Sequence, residues 1–176
     1  MDITKDYGEA TLGLFIKNNW VMLLAEATRN IGIGKLRGPG GGIKPGETPR
    51  KGLAREGFEE LHVTIDERAA EHVAVLDCFN RRAGGDIFHA HVLVYLVRGW
   101  RGFFRETKDG GMINPRLYFL SNLPFNRMMP GDPYWIREVV FSGRKIWGEF
   151  HYGPGQISLE CEPIIRDLPA SMMDNL

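Results

Sequence analysis

The chain has 176 residues, of which 43% are hydrophobic and 25% charged, and these proportions are typical of one globular domain with its own core. Its 22 basic and 22 acidic residues cancel, which excludes the strong overall positive charge that binding to a nucleic-acid polymer requires. No apolar run approaches the ~18 residues of a membrane-spanning helix, and the opening MDITKDYGEA lacks the pattern of an export signal. We therefore expect a single cytoplasmic domain over residues 1–176, with short frayed ends and no membrane contact.

The first half of the chain predicts a strand pair, a glycine-rich loop and one helix. Two apolar runs, 11–17 and 20–27, are joined by two asparagines, which tolerate the left-handed backbone of a tight hairpin turn. Residues 28–42 are rich in glycine and favour a loop without regular structure that passes close to another group. Thr48 is a good helix N-cap and a proline follows it, so a helix is predicted over 49–61.

The second half predicts several strands and one further helix. A helix that begins at a proline is expected over 133–142, and the segments 100–114 and 169–176 are expected to be a loop and a frayed tail. Strands are predicted at 63–65, 73–80, 88–98, 116–121, 145–152 and 156–164, the second and third forming one hairpin and the last two another. Strands and helices do not alternate regularly, so we predict an α/β fold with a mixed sheet and helices on its faces.

The predicted helix over 49–61 has an acidic face. At 100° per residue, Glu56, Glu59 and Glu60 fall within roughly 100° and are expected to face solvent. The residues expected to pack on the sheet are Ala54, Phe58 and Leu61. Three carboxylates on one stripe repel each other, and a hard cation such as Mg²⁺ would relieve that repulsion. A simple solvated acidic face is the alternative.

Six residues around this helix have the spacing of the signature of Nudix hydrolases, and the chain resembles that family. They are Gly41, Glu47, Arg55, Glu56, Glu59 and Glu60. The resemblance implies a Nudix-type α/β/α sandwich with a mixed β-sheet and a Mg²⁺ site, in which Mn²⁺ can substitute. Two residues depart from the family pattern: Gly57 replaces an aliphatic residue, and His62 replaces a glycine at the helix end.

The resemblance also assigns roles to the residues of this region. It makes Glu56, Glu60 and the carbonyl of Gly40 metal ligands. Glu59 is either a further ligand or the group that orients or deprotonates the attacking water. Arg55 and Glu47 are expected to hold the carboxylates in register.

The segment LPFNRMMPGDPYWI, 123–136, with the closing WGEFHYGPGQISLECEP, resembles the oxidised-purine nucleoside triphosphatase (8-oxo-dGTP diphosphatase) branch of the MutT-like enzymes. That resemblance implies a small nucleotide substrate, cleaved to a monophosphate and pyrophosphate. Asp132 keeps an acidic residue of that branch's base pocket, so it is the candidate reader of a purine edge; a structural role at the start of the 133–142 helix is the alternative. Met129 is a candidate cover for a base face or an ordinary packing residue, and Arg37 and Lys44 are candidate substrate contacts.

Several questions stay open at this point. Because Arg37 and Gly131 replace other residue types of that branch, ADP-ribose or a dinucleoside polyphosphate is an alternative substrate. A carboxylate that binds metal in that branch falls near Met112, where Glu106 or Asp109 would have to substitute, and its loss also suits a nucleotide sensor without activity. The oligomeric state is open.

The pair His89 and His91 is not predicted to bind a metal. The two residues alternate along one strand and should share a face, but no third ligand lies within reach in the sequence.

Overall fold

A computed structural model describes residues 8–82 and 84–173, and in this part of the chain eight strands form one sheet. The strands are β1 Gly8–Lys17, β2 Val21–Ala27, β3 Leu36–Arg37, β4 Glu71–Arg81, β5 Ile87–Arg98, β6 Met112–Phe119, β7 Ile146–Tyr152 and β8 Ile164–Asp167. The order across the sheet is β3-β2-β1-β5-β4-β7-β8, and β6 pairs with β2. The chain ends 1–7 and 174–176, expected to be frayed, lie outside the described residues, while Ala170–Met172 within the predicted tail forms a 3₁₀ turn.

The sheet is mixed, as the sequence predicted. β1 runs parallel to β5, and β4 runs parallel to β7. The other pairs are antiparallel: β1 with β2, β2 with β3 and β6, β4 with β5, and β7 with β8. The turn between β1 and β2 has Asn18 and Asn19 at φ 55° and 56°, which confirms the left-handed hairpin turn predicted there.

Two helices cover opposite faces of this sheet. Successive residues of a strand point to opposite faces, and in β1 Phe15 packs with the helix α1, Pro49–Leu61, whereas Leu14 packs with the helix α2, Asp132–Ile136. Helix α2 spans Asp132–Ile136 and continues as a π-helical turn over Arg137–Phe141, so the predicted helix over 133–142 is confirmed. The architecture is therefore an α/β/α sandwich with a mixed sheet. None of the helices in the described ranges is long or apolar enough to span a bilayer.

Helix α1 has the predicted bounds but a different buried face. The hydroxyl of Thr48 accepts a hydrogen bond from the backbone N–H of Lys51 at 3.3 Å, which confirms the N-cap. Phe58, expected to pack, is 49% exposed, and Leu53 and Gly57 occupy the buried stripe instead. A Cβ at residue 57 would lie 3.3 Å from the ring of Phe15, so the missing side chain lets the helix approach β1.

Three strand predictions were wrong in detail. Two residues of the glycine-rich loop, Leu36–Arg37, pair with β2 and form β3. The segment 63–65 is not a strand and makes a single bridge, between Thr64 and Arg101. The partner of β7 is Ile164–Asp167, because a 3₁₀ turn occupies Pro154–Gln156.

Candidate active site

A cavity of about 420 Å³ opens between the glycine-rich loop, α1 and α2. Its acidic end is formed by Gly40, Glu56, Glu59 and Glu60, and its apolar end by the described residues Leu76, Met129, Asp132 and Trp135. Nine of the ten residues singled out from the sequence lie in its wall: Arg37, Gly40, Lys44, Arg55, Glu56, Glu59, Glu60, Met129 and Asp132. The tenth, Glu47, lies behind Arg55. Residues far apart in the chain therefore converge on one site.

Arg55 is the hub of the acidic end. Its Nε and Nη2 donate to the two oxygens of Glu47 at 2.9 and 3.0 Å, a paired contact that fits the planar guanidinium. Its Nη1 donates to Glu56 at 2.6 Å and to Glu59 at 2.9 Å, and Nη2 also reaches the carbonyl of Gly42 at 2.9 Å. One side chain thus fixes two carboxylates of the helix to the loop.

The ion pair between Arg55 and Glu47 changes the acidity of both groups. The hydrogen bond from Arg55 is the main cause that lowers the pKa of Glu47 to about 2, and the backbone N–H of Lys44 adds to it. The same contacts raise the pKa of Arg55 above its usual value. This pair therefore stays charged at neutral pH.

Glu60 is the buried member of the acidic face, which corrects the expectation that all three carboxylates face solvent. Its residue is 5% exposed. Oε2 accepts from the backbone N–H of Gly40 at 2.9 Å, and Oε1 accepts from Nη2 of Arg37 at 3.0 Å. Burial raises the pKa of Glu60 to about 7, against the opposing effect of Arg37.

The donor atoms at the acidic end fit a hard divalent cation. Carboxylates of Glu56, Glu59 and Glu60 and the carbonyl of Gly40 are the oxygen ligands that Mg²⁺ prefers. As arranged, no three His, Cys, Asp or Glu side chains among residues 8–82 and 84–173 are close enough together to hold a metal ion. At the acidic end, the guanidinium groups of Arg37 and Arg55 lie among the carboxylates. Lys44 lies farther out, 3.4 Å from Glu59 and 60% exposed.

Asp132 lies at the apolar end and is held by its own chain. It is the first residue of α2 and is 7% exposed. Oδ1 accepts from Nε1 of Trp135 at 2.9 Å, and Oδ2 accepts from the backbone N–H of Met129 at 3.0 Å. Burial is the main cause that raises the pKa of Asp132 to about 7. A base reader and a structural brace at the helix start are both consistent with this position.

Close contacts around Met129 and Gly131 shape the apolar end. Met129 is 9% exposed and lies against the loop, since a Cβ on Gly32 would come within 3.0 Å of its sulfur. At Gly131 a Cβ would lie 2.4 Å from the hydroxyl of Tyr152, so the tyrosine fills the space that a side chain at 131 would need.

Two lining residues were missed from the sequence. Within the described part of the chain, the side-chain oxygens Oγ1 of Thr11 and Oδ1 of Asn80 are buried without a hydrogen-bond partner, and both residues line the cavity. The amide nitrogen of Asn80 donates to the carbonyl of Cys78 at 3.0 Å, which fixes the orientation of the amide. The sequence feature that could have identified such a residue is a polar side chain at an inward-facing position of an otherwise apolar strand.

The structure locates Met112 and the two acidic residues considered as substitutes for it, Glu106 and Asp109. Met112 is 1% exposed and packs in the core beneath α1. The described residues that line the cavity do not include Glu106 or Asp109, and Glu106 instead accepts from the backbone N–H of Asn114 at 2.7 Å. Neither of the two replaces the missing carboxylate in this arrangement.

The two histidines share one face of β5, as predicted, and that face is turned away from the cavity. Ring nitrogens of His89 and His91 each lie 2.8 Å from Oδ1 of Asp77. Oδ2 of Asp77 accepts from Nε1 of Trp147 at 2.7 Å. Desolvation by burial raises the pKa of Asp77, but the hydrogen bonds with His91, Trp147 and His89 outweigh it and hold the pKa below its usual value. The carboxylate thereby joins β4, β5 and β7.

Comparison with known proteins places these features in a family. The NUDIX domain model matches residues 9–139, more than half of the chain. The oxidized purine nucleoside triphosphate hydrolase of Mus musculus is 25% identical over 132 residues, which cover 74% of this chain and 78% of that protein. The protein of the same name from Danio rerio is 23% identical over 139 residues, covering 79% of this chain and 83% of that protein.

Solved structures share the fold. A MutT protein from Bacillus halodurans has a TM-score of 0.74 and 20% identity, covering 92% of this chain and 99% of its own. A MutT NUDIX hydrolase from Burkholderia pseudomallei has a TM-score of 0.59 and 23% identity, covering 67% of this chain and 87% of its own.

The NUDIX domain match over residues 9–139, together with the acidic, arginine-braced cavity, defines an enzyme that hydrolyses phosphoric anhydrides. The chain belongs to the Nudix family of pyrophosphohydrolases. Members of this family act on small nucleotide molecules and generally use divalent metal ions.

Proposed function

We propose that the protein is a Mg²⁺-dependent pyrophosphohydrolase of nucleoside triphosphates, with oxidised purine deoxynucleotides as the leading candidates. The observation that carries this proposal is one cavity with two ends. Oxygen donors suited to a metal and its phosphates lie at one end, and a buried carboxylic acid with apolar neighbours lies at the other. The named activity of the mouse and zebrafish relatives supports the purine assignment.

The acidic end is assigned to the phosphates. Glu56, Glu60 and the carbonyl of Gly40 would hold the metal, which when bound lowers the pKa of a coordinated water and neutralises charge on the phosphates. The oxygen of the attacking water forms a bond to phosphorus while the bond to a bridging oxygen breaks, which yields a monophosphate and pyrophosphate. Glu59 is the proposed acceptor of the water's proton, because its side chain is 48% exposed whereas that of Glu60 is 7% exposed.

The apolar end is assigned to the base. Asp132 is buried, so a hydrogen bond from a purine edge to its carboxyl group would form away from water. The unpaired Oδ1 of Asn80 supports this assignment, since a ligand with an N–H donor would satisfy it. Met129 would cover one face of the base.

A nucleotide panel with and without Mg²⁺ tests the proposal. Phosphorus NMR should show pyrophosphate and a monophosphate from at least one triphosphate, and product formation should stop with EDTA and return with Mg²⁺ or Mn²⁺. Hydrolysis in ¹⁸O-labelled water identifies the phosphorus that is attacked. A folded protein that forms no phosphate product from any nucleotide would contradict the proposal and favour the sensor.

The alternative substrate class is tested in the same assay. The replacement of other residue types by Arg37 and Gly131 motivated ADP-ribose or a dinucleoside polyphosphate as a substrate. A higher kcat/KM for either compound than for every triphosphate would make that compound, and not a nucleoside triphosphate, the leading candidate substrate. A single domain over 1–176 and a cytoplasmic location remain predictions.

A further inference from the structure

Arg37 occupies the place where the acidic end would bind a cation. It ends strand β3, and its Nη1 donates to the carbonyls of Gly38 and Gly40 at 3.1 and 3.0 Å. Its Nη2 donates to Oε1 of Glu60 at 3.0 Å. One guanidinium therefore uses an oxygen of each of two groups, Gly40 and Glu60, that are assigned to the metal.

The positive charge of Arg37 lies against the carboxylate of Glu60, 3.0 Å from its Oε1. Arg37 therefore offsets the charge of Glu60 as long as the two remain in contact. Guanidinium and Mg²⁺ both need the oxygen lone pairs of Gly40 and Glu60, and two cations at the same point repel each other. Arg37 and a metal at these two ligands are therefore competitors.

Arg55 differs from Arg37 in this respect. Its guanidinium is anchored to Glu47, which is not assigned to the metal, and it reaches Glu56 and Glu59 from the side of the loop. It can keep its place when a metal binds. Arg37 has no carboxylate partner besides Glu60 among its contacts in the described residues, and its side chain is 21% exposed at the cavity wall.

We propose that Arg37 is an internal counter-ion that a divalent cation displaces, and that the freed guanidinium then turns into the cavity and binds the nucleotide phosphates. The proposal rests on the proposed function, because it takes Glu60 and Gly40 as metal ligands. A guanidinium binds phosphate oxygens in pairs, so the residue that hinders metal binding would support substrate binding. Metal and substrate binding become coupled through one side chain.

Metal binding without substrate tests the first half. In Arg37→Met, which removes the charge and keeps the length, Mn²⁺ measured by calorimetry or electron paramagnetic resonance should bind at least about tenfold more tightly than in the parent. The matched control is Arg29→Met. Arg29 lines the same cavity but donates to the backbone carbonyl of Asp109 at 2.6 Å, so its loss should change Mn²⁺ affinity less than about threefold.

An unchanged or weaker Mn²⁺ affinity in Arg37→Met would overturn the exchange and make Arg37 a brace of the carboxylates. These binding results do not depend on turnover. A parent that hydrolyses nucleotides while Arg37→Met gains no affinity overturns the inference alone. A parent that fails to hydrolyse any nucleotide, with the affinity gain present, overturns the proposed function and supports the exchange.

A measurement on the parent keeps the test valid if Arg37→Met does not fold. Phenylglyoxal modifies accessible guanidinium groups, and peptide mass spectrometry locates them. Mg²⁺ should speed the modification of Arg37 severalfold and leave that of Arg55 unchanged. An equal or slower rate at Arg37 would overturn the displacement.

The second half is tested with a non-hydrolysable nucleoside triphosphate in saturating Mg²⁺. Arg37→Met should bind it about tenfold more weakly than the parent, and Arg37→Lys should fall between them because lysine keeps the charge but not the paired geometry. Equal affinity in all three proteins would overturn the role of the freed guanidinium.

Discussion

The acidic and apolar ends of the cavity satisfy their polar groups in opposite ways. At the acidic end every carboxylate already has a cationic partner, so a metal must exchange with Arg37 or join the set held by Arg55. At the apolar end, Oδ1 of Asn80 is buried without a partner in the described residues. The first end is complete without a ligand and the second is not, so we expect chemistry to depend on the first and selectivity on the second.

The largest expected effect is at the acidic end, in Glu60→Gln. Loss of a metal ligand should lower kcat at least about a hundredfold, since even partners that only orient ligands are worth 10- to 100-fold. Because Glu60 is buried and paired with Arg37, we also expect a stability loss of about 1–3 kcal/mol. Nucleotide hydrolysis and urea unfolding measure the two effects. The exposed Glu162→Gln is the matched control, and activity within tenfold of the parent would reject the metal role.

The next largest effect concerns the apolar end, in Asp132→Ala. If Asp132 reads the base, kcat/KM for the best purine triphosphate should fall by about tenfold to a hundredfold, the value of a hydrogen bond to a charged group. A pyrimidine triphosphate should lose far less, because its phosphate contacts are shared. Steady-state kinetics with both substrates decides the matter. Equal losses would assign Asp132 to bracing Met129 and Trp135.

The acidity of Asp132 gives a prediction about pH. Its folded pKa of about 7 lies above the ordinary value of 3.8, so this group stabilises the fold fully below pH 4, and the contribution is lost as pH rises through 7. Cys78 and Tyr152 face Asp132, and both have a raised pKa, so they stay neutral over this range. The free energy of unfolding of Asp132→Asn, measured relative to the parent, should therefore rise by about 2 kcal/mol from pH 5 to pH 8. Urea unfolding at both pH values checks this, and a constant difference would contradict it.

A smaller effect is expected for Asn80→Ala at the same end. If its unpaired oxygen accepts from the base, kcat/KM for that purine should fall about two- to tenfold, as for a neutral hydrogen bond. Stability should change little, because the variant removes a buried unsatisfied acceptor along with the contact to Cys78. Parallel kinetics and thermal unfolding give both numbers. A loss of stability without a kinetic change would make Asn80 purely structural.

The smallest effect is expected at the end of α1, away from the cavity. His62 has φ 59°, a left-handed conformation that glycine adopts without strain, so His62→Gly should be more stable than His62→Ala by about 1 kcal/mol. Both variants lose the ring contact with Phe58 at 4.7 Å and the contact with Arg105 at 3.1 Å, so His62→Ala, which keeps the strain, should be less stable than the parent. Thermal unfolding compares the three proteins, and kcat should not change.

The sequence predictions were correct where a residue contacts its neighbours in the chain and wrong where its contacts come from distant segments. The bounds of α1 and the turn at Asn18 depend on neighbours in the chain, and both were predicted correctly. The buried face of α1 was wrong because Gly57, which carries no apolar side chain, takes the position nearest Phe15. The burial of Glu60 was missed for a related reason: its partners come from the loop about twenty residues earlier.

The apolar end could be predicted only through resemblance. Asp132 was found from a family pattern, but its bonds to Met129 and Trp135 needed the structure. The partner of β7 was misplaced because a 3₁₀ turn occupies Pro154–Gln156, at the start of the predicted strand, and the pairing with β7 begins only at Ile164.

The parallel pairing of β4 with β7 has a consequence for how the chain reaches this structure. β4 and β5 are joined by a short turn, whereas β7 joins β4 only after more than sixty residues, and closing such a loop costs more chain entropy and is slower. The acidic residues and their loop lie within a short span that ends at Leu61, while Tyr152 and α2 complete the apolar end. We expect the acidic end to assemble early in folding and the apolar end last. A nascent chain released before β7 would then carry the acidic residues of α1 but lack the strand that pairs with β4 and supplies Tyr152 to the apolar end.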